Sequence, residues 1–142
     1  MRLTGLHHVQ VAMPSGREDD ARRFYAATLG LTEVPKPEQL RARGGCWFRS
    51  EDGSVEIHLG VEEGFRPARK AHPAIVVDGL AELRARIAES GYEIQDDAQL
   101  EGYERCYGFD PFGNRLEFIE RAGVEAQHGP TGRMRASRRQ RI

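Results

Sequence analysis

The chain reads as one segment written twice, and that duplication limits its architecture more than any other feature. LHHVQV near the start returns as AHPAIVV, a helix-like stretch ends at Gly30 in the first copy and at Gly91 in the second, and GGCWFRSEDGSVEIHL answers YERCYGFDPFGNRLEFI. Each copy runs in one order: a His opening the first strand, a helix stopped by Gly, a Cys-aromatic pair, a Gly turn and a Glu in the closing strand. Paired by place, these are His8 with Glu56 and His72 with Glu117. A duplicated unit offering one imidazole and one carboxylate per copy can bring two nitrogens and two oxygens to its pseudo-twofold centre, a donor set suited to a divalent metal.

The strand and helix periods support the repeat. From Leu6 to Met13, His8, Gln10 and Ala12 alternate with His7, Val9 and Val11, so a strand there points His7 and His8 to opposite faces. Pro14 ends it. Ser15 with Glu18 predicts a capping box, and Ala21, Phe24, Tyr25, Thr28 and Leu29 fall at helical spacing before Gly30. Strands are expected at 31–34, 45–49 and 54–60, the last two joined by a Glu-Asp-Gly hairpin turn. The second copy predicts a strand over 71–77, an Asp78 cap, a helix with Leu80, Leu83 and Ile87 inward, and strands at 92–95, 105–109 and 114–120. Asp110 to Gly113 forms the turn before the last. The organisation is therefore a single domain over 1–121, with module one at 1–61, a polar linker at 62–70 and module two at 71–121.

Bulk composition narrows the partners. At 142 residues, with 39% hydrophobic and 8% aromatic residues, the chain has the length of one ordinary domain and enough apolar material for a core. The 21 basic residues are balanced by 22 acidic ones, which leaves no overall footprint for nucleic acid or an anionic membrane; a small-molecule partner is expected. No apolar run approaches the roughly 20 residues of a membrane span, and no basic-then-apolar leader opens the chain, so the expectation is a cytoplasmic protein. Cys46 and Cys106 are too few for a disulfide framework and occupy equivalent places; they read as small hydrophobes in buried strands. The stretch 122–142 differs, with five arginines and one acidic residue. It reads as a solvated tail, the alternatives being a helix docked on a partner subunit or a weak polyanion contact.

The ordered set HHV, FY followed by LGL, HPAIVV and DPFGNRLEF resembles the glyoxalase/bleomycin-resistance/dioxygenase superfamily, the vicinal oxygen chelate proteins, over about 3–120. The resemblance implies an α+β fold of two tandem βαβββ modules, whose curved mixed sheet closes around a central metal-bearing cavity, and a homodimer. It also implies His8, His72 and Glu117 as metal ligands, with a fourth at Glu56 if the chain follows the glyoxalase I branch. Along a strand Glu56 and His58 share a face, so His58 is the other candidate for that place, or either residue shuttles protons. The ion implied is Fe, Ni, Zn or Mn. The activity implied is that of a lyase, isomerase or dioxygenase acting on a substrate that chelates through neighbouring oxygens. The alternative is a non-catalytic binding protein of the bleomycin-resistance type.

Other residues weigh less. Glu117, between Leu116 and Phe118, faces away from them, and its carboxylate needs a metal or an Arg as partner; the metal is the expectation. His7 reads as structural and His128 falls in the tail. Trp47, Phe48, Tyr103 and Tyr107 read as core aromatics, one or two of which could wall the cavity. Arg66, Arg69 and Lys70 precede His72 and could hold a carboxylate or phosphate on a substrate.

Overall fold

The computed structural model describes residues 1–98 and 100–123. The elements run β1 (Val9–Met13), α1 (Glu18–Ala21) continuing as a π-helical stretch (Arg22–Thr28), β2 (Thr32–Val34), α2 (Glu38–Arg41), β3 (Cys46–Arg49) and β4 (Glu56–Val61). Then follow β5 (Ala74–Val76), α3 (Leu80–Glu89), β6 (Ile94–Asp96), β7 (Tyr103–Phe109) and β8 (Arg115–Arg121). Each copy forms a four-stranded mixed sheet, in the orders β1-β4-β3-β2 and β5-β8-β7-β6. In both, the first and last strands lie parallel and the remaining pairs antiparallel. The α+β fold of two tandem modules is therefore present. The tail from residue 124 on, His128 included, lies outside the described residues. Among those described, no helix is long and apolar enough to cross a membrane.

One apolar cluster joins the modules, with Met13, Phe24, Phe48, Ile57 and Leu59 from the first and Ile87, Leu116 and Phe118 from the second. Phe24 and Tyr25 are sequence neighbours, yet both are fully buried. The widened π turn, in which the Leu29 amide bonds the Phe24 carbonyl at 2.9 Å, lets both rings face the sheets. Cys46 and Cys106 are buried and unpaired, as expected, and burial pushes the Cys46 thiol up to about 12.

The DPFGN turn fastens the modules together. The Asp110 carboxylate accepts from the Tyr25 hydroxyl and the Asn114 side-chain amide on one oxygen, both at 2.8 Å, and from the Phe112 and Asn114 backbone amides on the other, both at 2.9 Å. Asn114 Nδ2 also donates to the Ala12 carbonyl of β1 at 2.7 Å. A motif near the end of the chain thus holds both the first helix and the first strand.

Four local expectations need correction. The first strand begins at Val9, not Leu6, because its ladder with β4 starts at the Val9–Ile57 pair and earlier residues have no partner. Freed from the pleat, His7 and His8 do not point apart; their Nδ1 atoms lie 2.9 Å from each other. The Ser15–Glu18 capping box does not form, since Glu18 is drawn instead to the Gly45 amide at 2.9 Å. Nor does Asp78 cap α3: Gly79 holds the N-cap place, and the Glu120 carboxylate of β8 accepts from the Gly79 and Leu80 amides at 2.6 and 3.2 Å. The short α2, between β2 and β3, is an element the hydrophobic pattern did not predict.

Candidate functional site

Strand register decides which residues correspond between the modules. Gln10 pairs with His58 and Trp47 with His58, just as Ala74 pairs with Glu117 and Tyr107 with Glu117. The counterpart of Glu117 is therefore His58, and Glu56 corresponds to Arg115. This corrects the Glu56–Glu117 pairing. The hairpin of module one is one residue longer, since Cys46 faces Leu59 whereas Cys106 faces Phe118. That insertion shifts an ungapped alignment from the Cys pair by one residue, and the Glu56–Glu117 match stands two residues out of register.

In module two, the core side of β8 carries Leu116 and Phe118, and its opposite face carries Arg115 and Glu117. Glu117 is buried, as alternation requires. One of its oxygens lies 3.0 Å from His72 Nε2 and the other accepts from Arg105 Nη1 at 3.0 Å. Burial pushes its carboxyl up, but the bonds from Arg105 and His72 outweigh burial and hold it below its ordinary value. The partner of Glu117 in this structure is thus Arg105. His72 Nδ1 lies 2.8 Å from the Lys70 carbonyl, which can only accept, so that nitrogen carries the proton. In the neutral ring Nε2 then turns a lone pair toward the Glu117 carboxylate. Two Lewis bases facing each other at 3.0 Å require a second proton or a cation between them. A metal-binding imidazole commonly has its other N–H fixed by a carbonyl, as here. On the chemistry of these donors, His72 and Glu117 fit a divalent ion.

Module one holds a different pair. Glu56 accepts from Arg49 Nε at 2.8 Å and from His58 Nε2 at 2.7 Å. The Arg49 bond first, and the His58 bond second, hold the Glu56 carboxyl down to about 2. Burial pushes the His58 ring below the usual histidine range, only partly opposed by Glu56. Its ring is sandwiched between Trp47 at 3.9 Å and His8 at 4.1 Å. His8 is exposed and lies just ahead of β1. The structure thus gathers His8, His58 and Glu56 into one group and His72 and Glu117 into another. Among the described residues, no three His, Cys, Asp or Glu side chains converge on one point.

A cleft of about 640 Å³ opens between β1 and β5, lined by Gln10, Glu62, Arg66, His72, Asn114 and Arg115 among others. A smaller one of about 310 Å³ lies beside it and includes His8, Glu56 and Val76. Sequence reasoning missed Arg105 and Arg115. Both were accessible to it, because Arg115 shares the Glu117 face by period two, while Arg105 sits two residues before Tyr107, the strand partner of Glu117. Trp47 and Tyr107 also belong to the site, Tyr107 standing edge-on to His72 at 5.2 Å.

Comparisons with known proteins agree with this architecture. The family model of the glyoxalase/bleomycin resistance protein/dioxygenase superfamily matches residues 5–118. A protein from Bacillus anthracis assigned to the glyoxalase family is 48% identical, with a TM-score of 0.80 over 85% of this chain and 98% of that one. A glyoxalase/dioxygenase from Nostoc punctiforme superposes with a TM-score of 0.67 at 21% identity, over 82% of this chain and 90% of that one. The fosfomycin resistance protein FosX from Listeria monocytogenes gives 0.65 at 15% identity, over 84% and 94%, a likeness of fold alone. No curated protein matches. With the family model spanning most of its length and the fold it implies in place, the chain belongs to the glyoxalase/bleomycin resistance protein/dioxygenase superfamily.

Proposed function

We propose that this protein is a divalent-metal-dependent enzyme acting on a small molecule with two neighbouring oxygens, of lyase, isomerase or dioxygenase type. The carrying observation is His72, whose Nδ1 is fixed on the Lys70 carbonyl and whose Nε2 faces Glu117. His72 and Glu117 would hold the ion with His8 as a further ligand, and the ion, when bound, would polarise the substrate oxygens as a Lewis acid.

The chain's own residues divide the remaining work. Glu56 has both oxygens engaged and stays ionised, so its role is to orient His58 rather than to carry a proton. His58, kept neutral by burial, takes a proton from the substrate and returns it. Trp47 and His8 clamp the His58 ring and fix the direction of that transfer. The cleft between β1 and β5 is large enough for a small organic ligand.

The pairing of Glu117 with Arg105 favours a second reading, since that carboxylate already has a cation and the cavity could serve a binding protein without metal. Elemental analysis of protein purified without chelator separates the two. Near-stoichiometric Fe, Ni, Zn or Mn, lost in His72→Ala and Glu117→Ala but not in His7→Ala, supports the enzyme. No uptake of any of these ions supports the binder.

A homodimer is part of the proposal. Leu6 and Val76 are 80% and 71% exposed, and both line the smaller cleft, beside the edge strands β1 and β5. A second copy covering that face would bury them. Sedimentation velocity should show a dimer that Val76→Glu shifts toward monomer; a monomeric wild type would overturn this part.

A further inference from the structure

We infer that Arg115 is an anion anchor, and that the cleft between β1 and β5 takes a small organic acid bearing a carboxylate or phosphonate. This rests on the reading of that cleft as the ligand site, and it adds which end of the ligand is recognised and by which residue. Two strand arginines beside the site already have carboxylate partners: Arg49 pairs with Glu56, and Arg105 with Glu117 and Asp97. Arg115 differs from both. Among the described residues no carboxylate lies within ion-pair distance of it, although its side chain is half-buried and lines the cleft.

Its guanidinium is nonetheless held in place. The plane rests on the Tyr107 ring at 4.6 Å, and Nη2 donates to the Lys70 carbonyl at 3.1 Å. The 3.5 Å approach of Nη2 to His72 Nδ1 satisfies neither group, because Nδ1 already donates to Lys70. Nε is buried with no hydrogen-bond partner. A buried donor left unpaired costs stability, and a guanidinium offers its donors in a fork that matches two oxygens of one oxyanion. The stacked, partly unsatisfied fork is thus preorganised for a ligand of that shape. Arg66 lines the same cleft and adds a second positive charge, against one carboxylate, Glu62. A ligand seated with its oxyanion on Arg115 has that end beside His72, the contact residue of Arg115 and one of the proposed metal pair.

Isothermal titration calorimetry on metal-free, full-length protein tests this without depending on metal uptake. The probes are benzoate and phenylphosphonate, with uncharged benzamide as the control. Wild type should bind at least one anion and not benzamide, and the tighter anion identifies the class. Arg115→Gln should weaken binding by about tenfold or more, Arg115→Lys by less, since it keeps the charge and loses the fork, and Arg86→Gln, on an exposed α3 arginine paired with Glu82, not at all. If Arg115→Gln does not fold, as judged by circular dichroism, Arg115→Lys and Arg66→Gln carry the test by their intermediate losses. The proposal is overturned by unchanged affinity in the Arg115 variants, by equal binding of benzamide, by an equal loss in Arg86→Gln, or by no wild-type binding of either anion up to about 10 mM. Because the protein is metal-free, a failure here is separate from a failure to take up metal, and anion binding without metal uptake would leave Arg115 as the anchor of a binding protein.

Discussion

At the scale of single residues, environment separates groups that are alike in sequence. His58 and His72 occupy neighbouring functions, but the first is oriented by a carboxylate and clamped between rings, while the second is oriented by a backbone carbonyl. Cys46 shows the same influence as a thermodynamic effect. Its thiol ionises near 9.0 in the unfolded chain and is pushed up to about 12 by burial in the fold. Between those values the native state holds a proton that the unfolded state has lost, so stability from this group is intact below pH 9.0 and declines as pH rises toward 12. Urea denaturation across that range should show falling stability, with a shallower alkaline slope in Cys46→Ala. The native thiol should also resist alkylation at neutral pH, because the reactive thiolate is absent. Rapid native-state labelling of Cys46 would contradict the assigned burial.

Among elements, the longer and more periodic ones were legible and the unions between them were not. Helix α3 was readable from Leu80, Leu83 and Ile87, and β8 from the alternation around Glu117, because apolar spacing reports which face meets the core. The caps were misread for a physical reason: Glu18 and Glu120 both satisfy backbone amides far along the chain, and a local motif carries no trace of a partner 27 or 41 residues away. The Glu56–Glu117 match failed because it stands two residues out of register, Glu56 holding the place of Arg115, which only strand pairing exposes. The candidate site was legible as residue types in His8, His58, Glu56, His72 and Glu117, but their grouping, His8 and Glu56 with His58 and His72 with Glu117, was not. Glu120 gives the element-scale prediction. Glu120→Ala removes the acceptor for the first two amides of α3 and should cost about 1 kcal/mol in chemical denaturation, whereas Asp78→Ala should change little.

For the whole molecule, the Asp110 clasp matters most, since it ties Tyr25 of the first helix and, through Asn114, Ala12 of the first strand to the final hairpin. All four bonds to its carboxylate are received, so Asp110→Asn would turn an amide against donors that need an acceptor. A loss of about 2–4 kcal/mol is expected in urea denaturation, with both modules melting together; a loss below about 1 kcal/mol would show that the apolar cluster alone unites them. The stack described in module one has a further use. The chain has one tryptophan, and Trp47 lies face to face with His58 at an interplanar angle of 4°. An imidazolium against an indole quenches its emission more than a neutral ring does, so this protein carries an internal optical gauge. Its fluorescence should dim as pH falls below the usual histidine range and His58 gains its proton, while His58→Gln should leave it level, allowing the proposed proton carrier to be titrated with no substrate in hand.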